Sequence, residues 1–226
     1  MSYFCAPPIN EKILLKFANE LSGHSLGELS SIILKMVPNT LKKNKAFTGH
    51  LLEKILGANI GSKVQQDFSD IGVELKTVPV NKKGVVLEST FICSVPLIKN
   101  IALIWSNSFF YEKIRRILWI PIQGDNSVSL SDRLIGKPFL WTPDSVQENL
   151  IRCDWEEFMD LIILGKVEEI TGSHGEVLYI LKRSINYSYL TRAIGKDGSV
   201  IYIEPRCFYF RKKFTYSVLK KNFKCF

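Results

Sequence analysis

The chain has 226 residues, of which 46% are hydrophobic and 23% are charged, and its formal net charge is +8. This hydrophobic content excludes global disorder, and the length suffices for one large domain or two tightly joined lobes. The excess of positive charge favours an anionic partner, and nucleic acid is the first candidate.

The first half of the chain predicts helices followed by strands. Ser25 and Glu28 have the spacing of a capping box, which marks the start of a helix. Pro79 cannot donate to a β-ladder, so it is expected to end the first strand. A polar, basic loop is expected at 38–45 and a turn at 81–84. The predicted helices cover 10–21, 25–36 and 48–56, and the predicted strands cover 73–78 and 87–94.

The second half mixes both element types, with a loop region expected at 123–138. The longest predicted helix, 144–164, carries an apolar stripe at helical spacing. Alternating helices and hairpin strands predict a mixed α/β or α+β fold. The other predicted helices cover 109–115, 215–222 and a short stretch ending at Gly195, and the predicted strands cover 116–122, 176–181 and 200–210.

The most informative pattern is an acid followed, after a short gap, by Glu-x-Lys: Asp67, Glu74 and Lys76. Side chains alternate along a strand, so Glu74 and Lys76 share a face, about 6.5–7 Å apart, while Leu75 points to the core. Asp67 precedes a Ser-Asp-Ile-Gly turn, which lets the chain fold back and place Asp67 beside Glu74. The spacing therefore predicts that the three side chains converge.

The residue types fit metal-assisted cleavage of a phosphodiester. Two carboxylates, a phosphate oxygen and waters suit Mg²⁺, which prefers octahedral oxygen ligands. Lys76 is suited to orient the attacking water or to neutralise charge that develops in the transition state. The alternative is a solvated ion pair on a strand face, which contributes little.

Positive charge is concentrated near the C-terminus. Residues 182–226 contain eleven Lys and Arg and two acids, a net charge of +9, and aromatic residues alternate with the basic ones. A solvated basic tail seldom contains so many aromatics. This composition predicts a packed element with a basic surface that faces DNA.

The five cysteines include no Cys-x-x-Cys pair, which argues against a zinc ribbon and against a secreted disulfide framework. No signal-peptide pattern opens the chain, and no apolar run approaches the roughly 20 residues of a membrane span. His24, His50 and His174 have no metal-ligand spacing. A cytoplasmic protein without a membrane partner is therefore expected.

The ordered motifs of this chain resemble those of the MutH family, the strand-nicking endonucleases of methyl-directed DNA mismatch repair. They include Gly-Val-Glu-Leu-Lys-Thr-Val-Pro at 72–79 and Asp-Trp-Glu-Glu-Phe-Met-Asp at 154–160. Further matching segments are 21–29, 51–58, 61–68, 118–121 and 205–209. The same core resembles restriction enzymes that cut GATC.

The resemblance implies a restriction-endonuclease-like α/β core with two arms around a DNA-binding cleft. On that basis residues 1–226 form a single endonuclease domain. Its N-terminal arm, with the active site, covers roughly 10–105, and its C-terminal arm covers roughly 106–226.

The implied activity is Mg²⁺-dependent nicking of the unmethylated strand at hemimethylated GATC sites, 5′ of the G. The implied metal ligands are Asp67, Glu74 and the backbone carbonyl of Leu75, and Lys76 assists the nucleophilic water. The enzyme is expected to act as a monomer on double-stranded DNA. Activation by MutL, after MutS finds a mismatch, rests on the resemblance alone.

The resemblance also assigns supporting residues. Glu53 matches an acid of the metal cluster, as a ligand or in a supporting role, and Lys113 matches a lysine near the scissile phosphate. Without the resemblance, these two would read as a solvent-exposed helix residue and a surface cation.

DNA recognition is assigned to Lys45, Arg183 and Tyr209, with Tyr209 near the adenine whose methylation is sensed. Adenine N6-methylation adds bulk and removes a donor hydrogen in the major groove. The chain departs from the family pattern at Leu181, where a basic residue is expected, and at Arg183, where Lys is expected.

Two alternatives remain open at this point. A restriction-type enzyme that cuts both strands of GATC needs two active sites, and this chain has one copy of the motif. A DNA-binding protein without catalysis would keep the basic region but would not need the triplet.

Overall fold

The computed structural model describes residues 6–33, 47–59, 65–183 and 190–222. The helices are α1 (Glu11–Glu20), α2 (Leu26–Ile33), α3 (Phe47–Ile55), α4 (Phe109–Ile114), α5 (Ser145–Ile163) and α6 (Lys212–Asn222). The strands are β1 (Glu74–Val80), β2 (Thr90–Ser94), β3 (Ile117–Gln123), β4 (Phe139–Trp141), β5 (Leu178–Lys182), β6 (Thr191–Ile194), β7 (Val200–Ile203) and β8 (Arg206–Phe210). The mixed α/β class predicted from the sequence is confirmed.

The chain divides into two compact units, each built from more than one segment. The first unit contains Met1–Glu88, Arg115–Thr142 and Lys220–Phe226, and the second contains Ser89–Ile114 and Pro143–Leu219. No helix in the part of the chain that the structure describes is long and apolar enough to cross a membrane.

The sheet of the first unit has the strand order β1-β3-β4, in which β1 and β3 run parallel and β4 is antiparallel to β3. Glu74 at the start of β1 lies opposite Ile117 at the start of β3. The first four residues of β3 are fully buried, as expected for a central strand covered on both faces. Leu75 of β1 packs into the same core as apolar residues of α1, α2 and α3, so the sheet fixes β1 from its buried side.

Local signals in the sequence set the helix ends of this unit. The predicted capping box is present, since the backbone N–H of Ser25 donates to Glu28 Oε2 at 2.8 Å and the backbone N–H of Glu28 donates to Ser25 Oγ at 3.2 Å. Helix α3 is followed by Gly57, whose φ of 74° is the left-handed conformation that ends many helices. A side chain there would also collide with the carbonyl of Ala6.

The second unit contains the antiparallel sheet β2-β8-β5 and the separate hairpin β6-β7. One face of the sheet is built from fully buried residues such as Leu178, Phe208 and Phe210. Helix α5 is fixed to this sheet by Asp154, whose carboxylate accepts backbone N–H groups of Glu176, Val177 and Leu178 at 2.9, 2.7 and 2.8 Å.

Several predicted elements need correction. Pro79 does not end β1, which continues to Val80; a proline is tolerated because β1 is an edge strand. The stretch before Gly195 is strand β6 and not a helix, because it pairs with β7 across a turn containing Gly198 at φ 79°.

Three further boundaries differ from the sequence-based expectation. The predicted strand over 200–210 is two strands, β7 and β8, separated at residues 204–205. The chain forms a short strand, β4, just after the predicted loop at 123–138, and α6 starts at Lys212, earlier than expected. The loop predicted at 38–45 lies outside the described residues.

Candidate active site

A tight hairpin joins the two predicted acidic residues. Phe68 and Val73 exchange backbone hydrogen bonds of 2.9 and 3.2 Å across a turn made by Ser69–Ile71 and Gly72, which has φ 68°. Because Phe68 and Val73 lie opposite each other, the residues just outside them, Asp67 and Glu74, are brought side by side.

The three side chains of the motif meet at the start of β1. The backbone N–H of Asp67 donates to Glu74 Oε2 at 3.3 Å, and the backbone N–H of Leu75 donates to Asp67 Oδ2 at 2.8 Å. Lys76 Nζ lies 2.7 Å from Glu74 Oε1, which makes an ion pair along one face of the strand. The structure therefore brings together the side chains for which the sequence predicted convergence.

Glu74 is only 3% exposed, which is unusual for an acid. A buried carboxylate is tolerated when a cation and hydrogen bonds compensate for lost hydration. Lys76 supplies that cation, and its own side chain is 12% exposed. A solvated surface pair, the alternative considered from the sequence, does not describe this burial.

Burial and negative neighbours raise the pKa of Asp67 to about 6. Desolvation is the largest cause, followed by the charge of Glu74, with a smaller contribution from Glu53. The Lys76 ammonium and the Leu75 N–H act in the opposite direction but do not cancel these effects. Asp67 thus lies in a desolvated position close to two further carboxylates, those of Glu74 and Glu53.

Glu53 belongs to the same electrostatic cluster although it comes from α3. Its carboxylate Oε2 lies 3.1 Å from His50 Nδ1, one turn earlier in the helix. Backbone bonds from Ala58 N–H to the Glu53 carbonyl and from Asn59 N–H to the Asp67 carbonyl, each 2.8 Å, tie the end of α3 to the hairpin. The structure therefore places Glu53 close enough for its charge to act on Asp67.

The donor set suits a hard divalent cation. Asp67 and Glu74 offer carboxylate oxygens, and the backbone N–H of Leu75 donates to only one of the two Asp67 oxygens, Oδ2. Across residues 6–33, 47–59, 65–183 and 190–222, no three His, Cys, Asp or Glu side chains form a metal-binding group. Any metal here would thus need ligands beyond side chains, such as backbone carbonyls and waters, which agrees with Mg²⁺ preferences.

The structure describes three of the four remaining predicted residues, Lys113, Arg183 and Tyr209. Lys113 is in the second unit, at the end of α4, where it is 5% exposed and its ammonium lies 5.4 Å from the centre of the Phe109 ring. Lys113 is therefore buried, and it is not the surface cation that would be expected without the family resemblance. Lys45 lies outside the described residues. Arg183 and Tyr209 are both in the second unit.

Tyr209 occupies the centre of an aromatic row on the outer face of the second unit's sheet. Phe91 of β2 and Tyr179 of β5 are its direct cross-strand neighbours, at ring-centroid distances of 5.6 and 6.0 Å. Arg183 stacks over Phe91 at 5.8 Å, and Phe91 is 39% exposed. We call Phe91, Tyr209 and Tyr179 the aromatic row.

Sequence reasoning missed Phe91 and Tyr179 as members of this surface. The signal was the two-residue alternation of β5 and β8, which places Tyr179 and Tyr209 on the face opposite Leu178 and Phe208. The cross-strand register, which decides that the rings touch, was not readable from either strand alone.

Comparison with known proteins identifies the family of the chain. The family model of DNA mismatch repair enzyme MutH matches residues 56–154, which include the hairpin and β1. DNA mismatch repair protein MutH of Pectobacterium atrosepticum is 47% identical over 216 residues, covering 96% of this chain and 94% of that protein. The chain belongs to the MutH family.

Two further MutH proteins show the same extent of similarity. The protein of Citrobacter koseri is 46% identical over 218 residues, and that of Salmonella newport is 46% identical over 226 residues. These alignments cover 96% and 99% of this chain, and 95% and 98% of the relatives. MutH proteins are DNA mismatch repair endonucleases, so the chain is an enzyme of DNA repair.

Proposed function

We propose that this MutH-family endonuclease is Mg²⁺-dependent and nicks the unmethylated strand at hemimethylated GATC sites, 5′ of the G. The observation that carries the proposal is the buried contact of Glu74 with Lys76, beside an Asp67 carboxyl whose pKa is raised by burial and, to a smaller extent, by the charge of Glu74. A buried acid with a raised pKa beside a specific charged partner is typical of catalytic sites.

Asp67, Glu74 and the backbone carbonyl of Leu75 are the proposed Mg²⁺ ligands, and Glu53 supports them. When bound, the ion would polarise the phosphoryl group and lower the pKa of a coordinated water. The neighbouring carboxylates of Glu74 and Glu53 favour a divalent cation beside Asp67, because the cation would relieve the repulsion between these acids.

Lys76 has the role of holding the nucleophile. Its ammonium is fixed by Glu74 Oε1, and a lysine ammonium held at this position can donate to a water or to a phosphate oxygen. Donors that are already oriented stabilise charge developing on the phosphate without a reorganisation cost. Lys113 is proposed to act at the scissile phosphate as a second cation.

Recognition of the site is proposed to involve Lys45, Arg183 and Tyr209. Burial, together with the neighbouring Cys207, raises the pKa of the Tyr209 phenol, so it stays protonated at neutral pH and can donate a hydrogen bond. An added N6-methyl group on adenine changes both the shape and the donor count that such a phenol meets. Leu181, 39% exposed on the same sheet face, offers no charge to DNA.

The proposed partners follow from family membership, and the proposed monomeric state follows from the single copy of the motif. We propose that the chain acts as a monomer, that MutL activates it after MutS has found a mismatch, and that it works in the cytoplasm. One active site per chain is consistent with breaking one strand.

The deciding experiment is cleavage of a hemimethylated GATC duplex with each strand labelled separately, in the presence of Mg²⁺ and MutL. Wild-type protein should cut only the unmethylated strand, and Glu74→Ala should not cut. Asp70→Asn is the matched control, because Asp70 is an exposed acid in the same hairpin. Equal cutting of both strands would remove the specificity proposal and leave a nuclease.

The two alternatives predict other products. A restriction-type enzyme would break both strands of unmethylated DNA, with the second cut as fast as the first nick. A DNA-binding protein without catalysis would shift the duplex in a gel but would produce no Mg²⁺-dependent nick even with MutL.

A further inference from the structure

Arg211 holds the Tyr179 end of the aromatic row. We call its contacts with the turn at 172–175 and with the Tyr179 ring the clamp. A single guanidinium nitrogen of Arg211, Nη2, donates to the backbone carbonyls of Gly172, His174 and Gly175 at 2.7, 2.8 and 3.1 Å. The same guanidinium lies 4.9 Å from the centre of the Tyr179 ring. Arg211 thus links the turn before β5 to the outer face of Tyr179.

The turn that Arg211 grips is itself tightly built. Gly175 has φ 73°, and a side chain there would come within 2.3 Å of the Leu178 carbonyl. The backbone N–H groups that follow the turn are taken by Asp154 of α5. The clamp therefore connects Tyr179 to the rigid part of the unit and not to a loose loop.

The two neighbours of Tyr209 differ in how they are supported. On one side Phe91 is 39% exposed, and the cation over it comes from Arg183, an exposed residue just beyond the end of β5. On the other side Tyr179 packs against both Tyr209 and the anchored Arg211, which follows Tyr209 by two residues. The anchored side is the one that can fix where the Tyr209 ring lies.

We propose that Tyr179 and Arg211 are positioning residues that fix the Tyr209 ring and thereby sharpen discrimination between methylated and unmethylated adenine. This inference rests on the proposed role of Tyr209 in DNA recognition. Neither Tyr179 nor Arg211 needs to touch the DNA; they act by restricting the orientations of the ring that does.

The Tyr209 ring must be held in place because the group it is proposed to recognise, a single methyl group, is small. One methyl group distinguishes the two strands, so a phenol free to shift aside would accept both. Ring-to-ring and cation-to-ring contacts each contribute modestly, and together they restrict such a shift. A loosened Tyr209 would still support binding and cutting, but with less selectivity.

The test compares nicking of hemimethylated and fully methylated GATC duplexes, with Mg²⁺ and MutL, across five variants, one of which is Tyr209→Leu. Tyr179→Phe keeps the ring, Tyr179→Leu removes it, and Arg211→Lys keeps the charge but loses the planar fork. Tyr202→Leu is the matched control, because Tyr202 is a 64% exposed tyrosine on β7 of the same unit. Thermal unfolding of each variant is measured alongside.

We expect Tyr179→Leu and Arg211→Lys to lower the ratio of the two nicking rates by about three- to tenfold, the size of one aromatic contact. The absolute rate on hemimethylated DNA should change less than the ratio does. Tyr179→Phe and Tyr202→Leu should keep the wild-type ratio. Should Tyr179→Leu not fold, the comparison of Arg211→Lys with wild type still decides the matter.

Three results would overturn the inference, and they are distinguishable. If Tyr209→Leu lowers the ratio while Tyr179→Leu and Arg211→Lys leave it unchanged, Tyr209 reads the methyl group without help from this clamp. If Tyr209→Leu also leaves the ratio unchanged, the proposed role of Tyr209 itself is wrong. A fall in unfolding temperature with equal losses on both duplexes would show a merely structural role and also reject the proposal.

Discussion

The candidate active site and the aromatic row are built in opposite ways. The acidic hairpin takes Asp67, Glu74 and Lys76 from ten consecutive residues, and its hydrogen bonds span seven or eight positions at most. The aromatic row takes its rings from three strands, and Phe91 and Tyr209 are more than a hundred residues apart. The three motif residues proposed for catalysis thus come from one short segment of the chain. The surface proposed to read DNA is assembled by tertiary structure from distant strands.

The two regions should respond differently to single substitutions. A substitution in the hairpin should remove its function outright, because each member has a separate role and no neighbour can replace it. The aromatic row is supported by several partial contacts, so single changes should weaken it by degrees. Substitutions in each region test this contrast.

The largest effect is expected at Glu74. Glu74→Gln keeps the shape but removes the charge that pairs with Lys76 and that is proposed to hold Mg²⁺. We expect nicking to fall by about 1000-fold in a single-turnover assay with saturating DNA. Glu88→Gln, an exposed acid just outside the sheet, is the control. Retention of more than a tenth of the activity would mean that Glu74 is not a member of the catalytic cluster.

A structural effect of comparable size is expected at Asp154 in the second unit. Asp154→Ala leaves two buried and one part-buried backbone N–H groups without their acceptor, which should cost about 3 kcal/mol in the free energy of unfolding. Chemical denaturation monitored by tryptophan fluorescence measures this. Asp160→Ala, an exposed position on the same helix, should be nearly neutral. Equal stability of the two variants would show that the start of β5 is held by other contacts.

Lys76 should give a smaller loss than Glu74. Lys76→Met removes the ammonium proposed to orient the water, and we expect about a 100-fold loss in nicking rate. The variant also leaves Glu74 buried without its cation, so its folding must be checked by circular dichroism. Lys82→Met in the exposed turn after β1 serves as the control. A rate within threefold of wild type would remove Lys76 from the proposed mechanism.

The same contrast explains what could be predicted from the sequence. Strand alternation and one turn were enough to predict that Asp67, Glu74 and Lys76 meet, because every contact lies within a short segment. The capping box at Ser25 and Glu28 was predictable for the same reason. Family resemblance, and not spacing, directed attention to Glu53, Lys113 and Tyr209.

What could not be predicted depends on pairing between distant segments. Pro79 was expected to end β1, because the sequence does not say that β1 is an edge strand. Residues 191–194 were expected to be helical, because only pairing with β7 makes them a strand. Tyr179 and Arg211 were overlooked because their significance comes from the register of β5 with β8 and from a turn 36 to 39 residues before Arg211.

The smallest effect, and one with an opposite sign, is expected for the stability of Asp67 variants. Burial and the charge of Glu74 raise the pKa of Asp67 to about 6, so its charged form is disfavoured in the folded protein. The unfolded chain has the ordinary, lower pKa. The folded protein therefore binds this proton more tightly, and its stability increases as the pH falls from above 6 towards 4.

Asp67→Asn removes the charge but keeps an oxygen that can accept the Leu75 N–H. At pH 7.5 with a chelator present, the variant should be more stable than wild type by about 1–2 kcal/mol, and the difference should disappear near pH 4. Denaturant titrations at both pH values measure it, with Asp70→Asn as a control expected to show no such trend. If Asp67→Asn is less stable than wild type at pH 7.5, Lys76 already balances the negative charge of the carboxylates. The proposal of a divalent cation at the hairpin would then lose its electrostatic basis. If the variant is more stable than wild type but inactive, the result would support a carboxylate at position 67 that destabilises the fold and is needed to bind the metal ion.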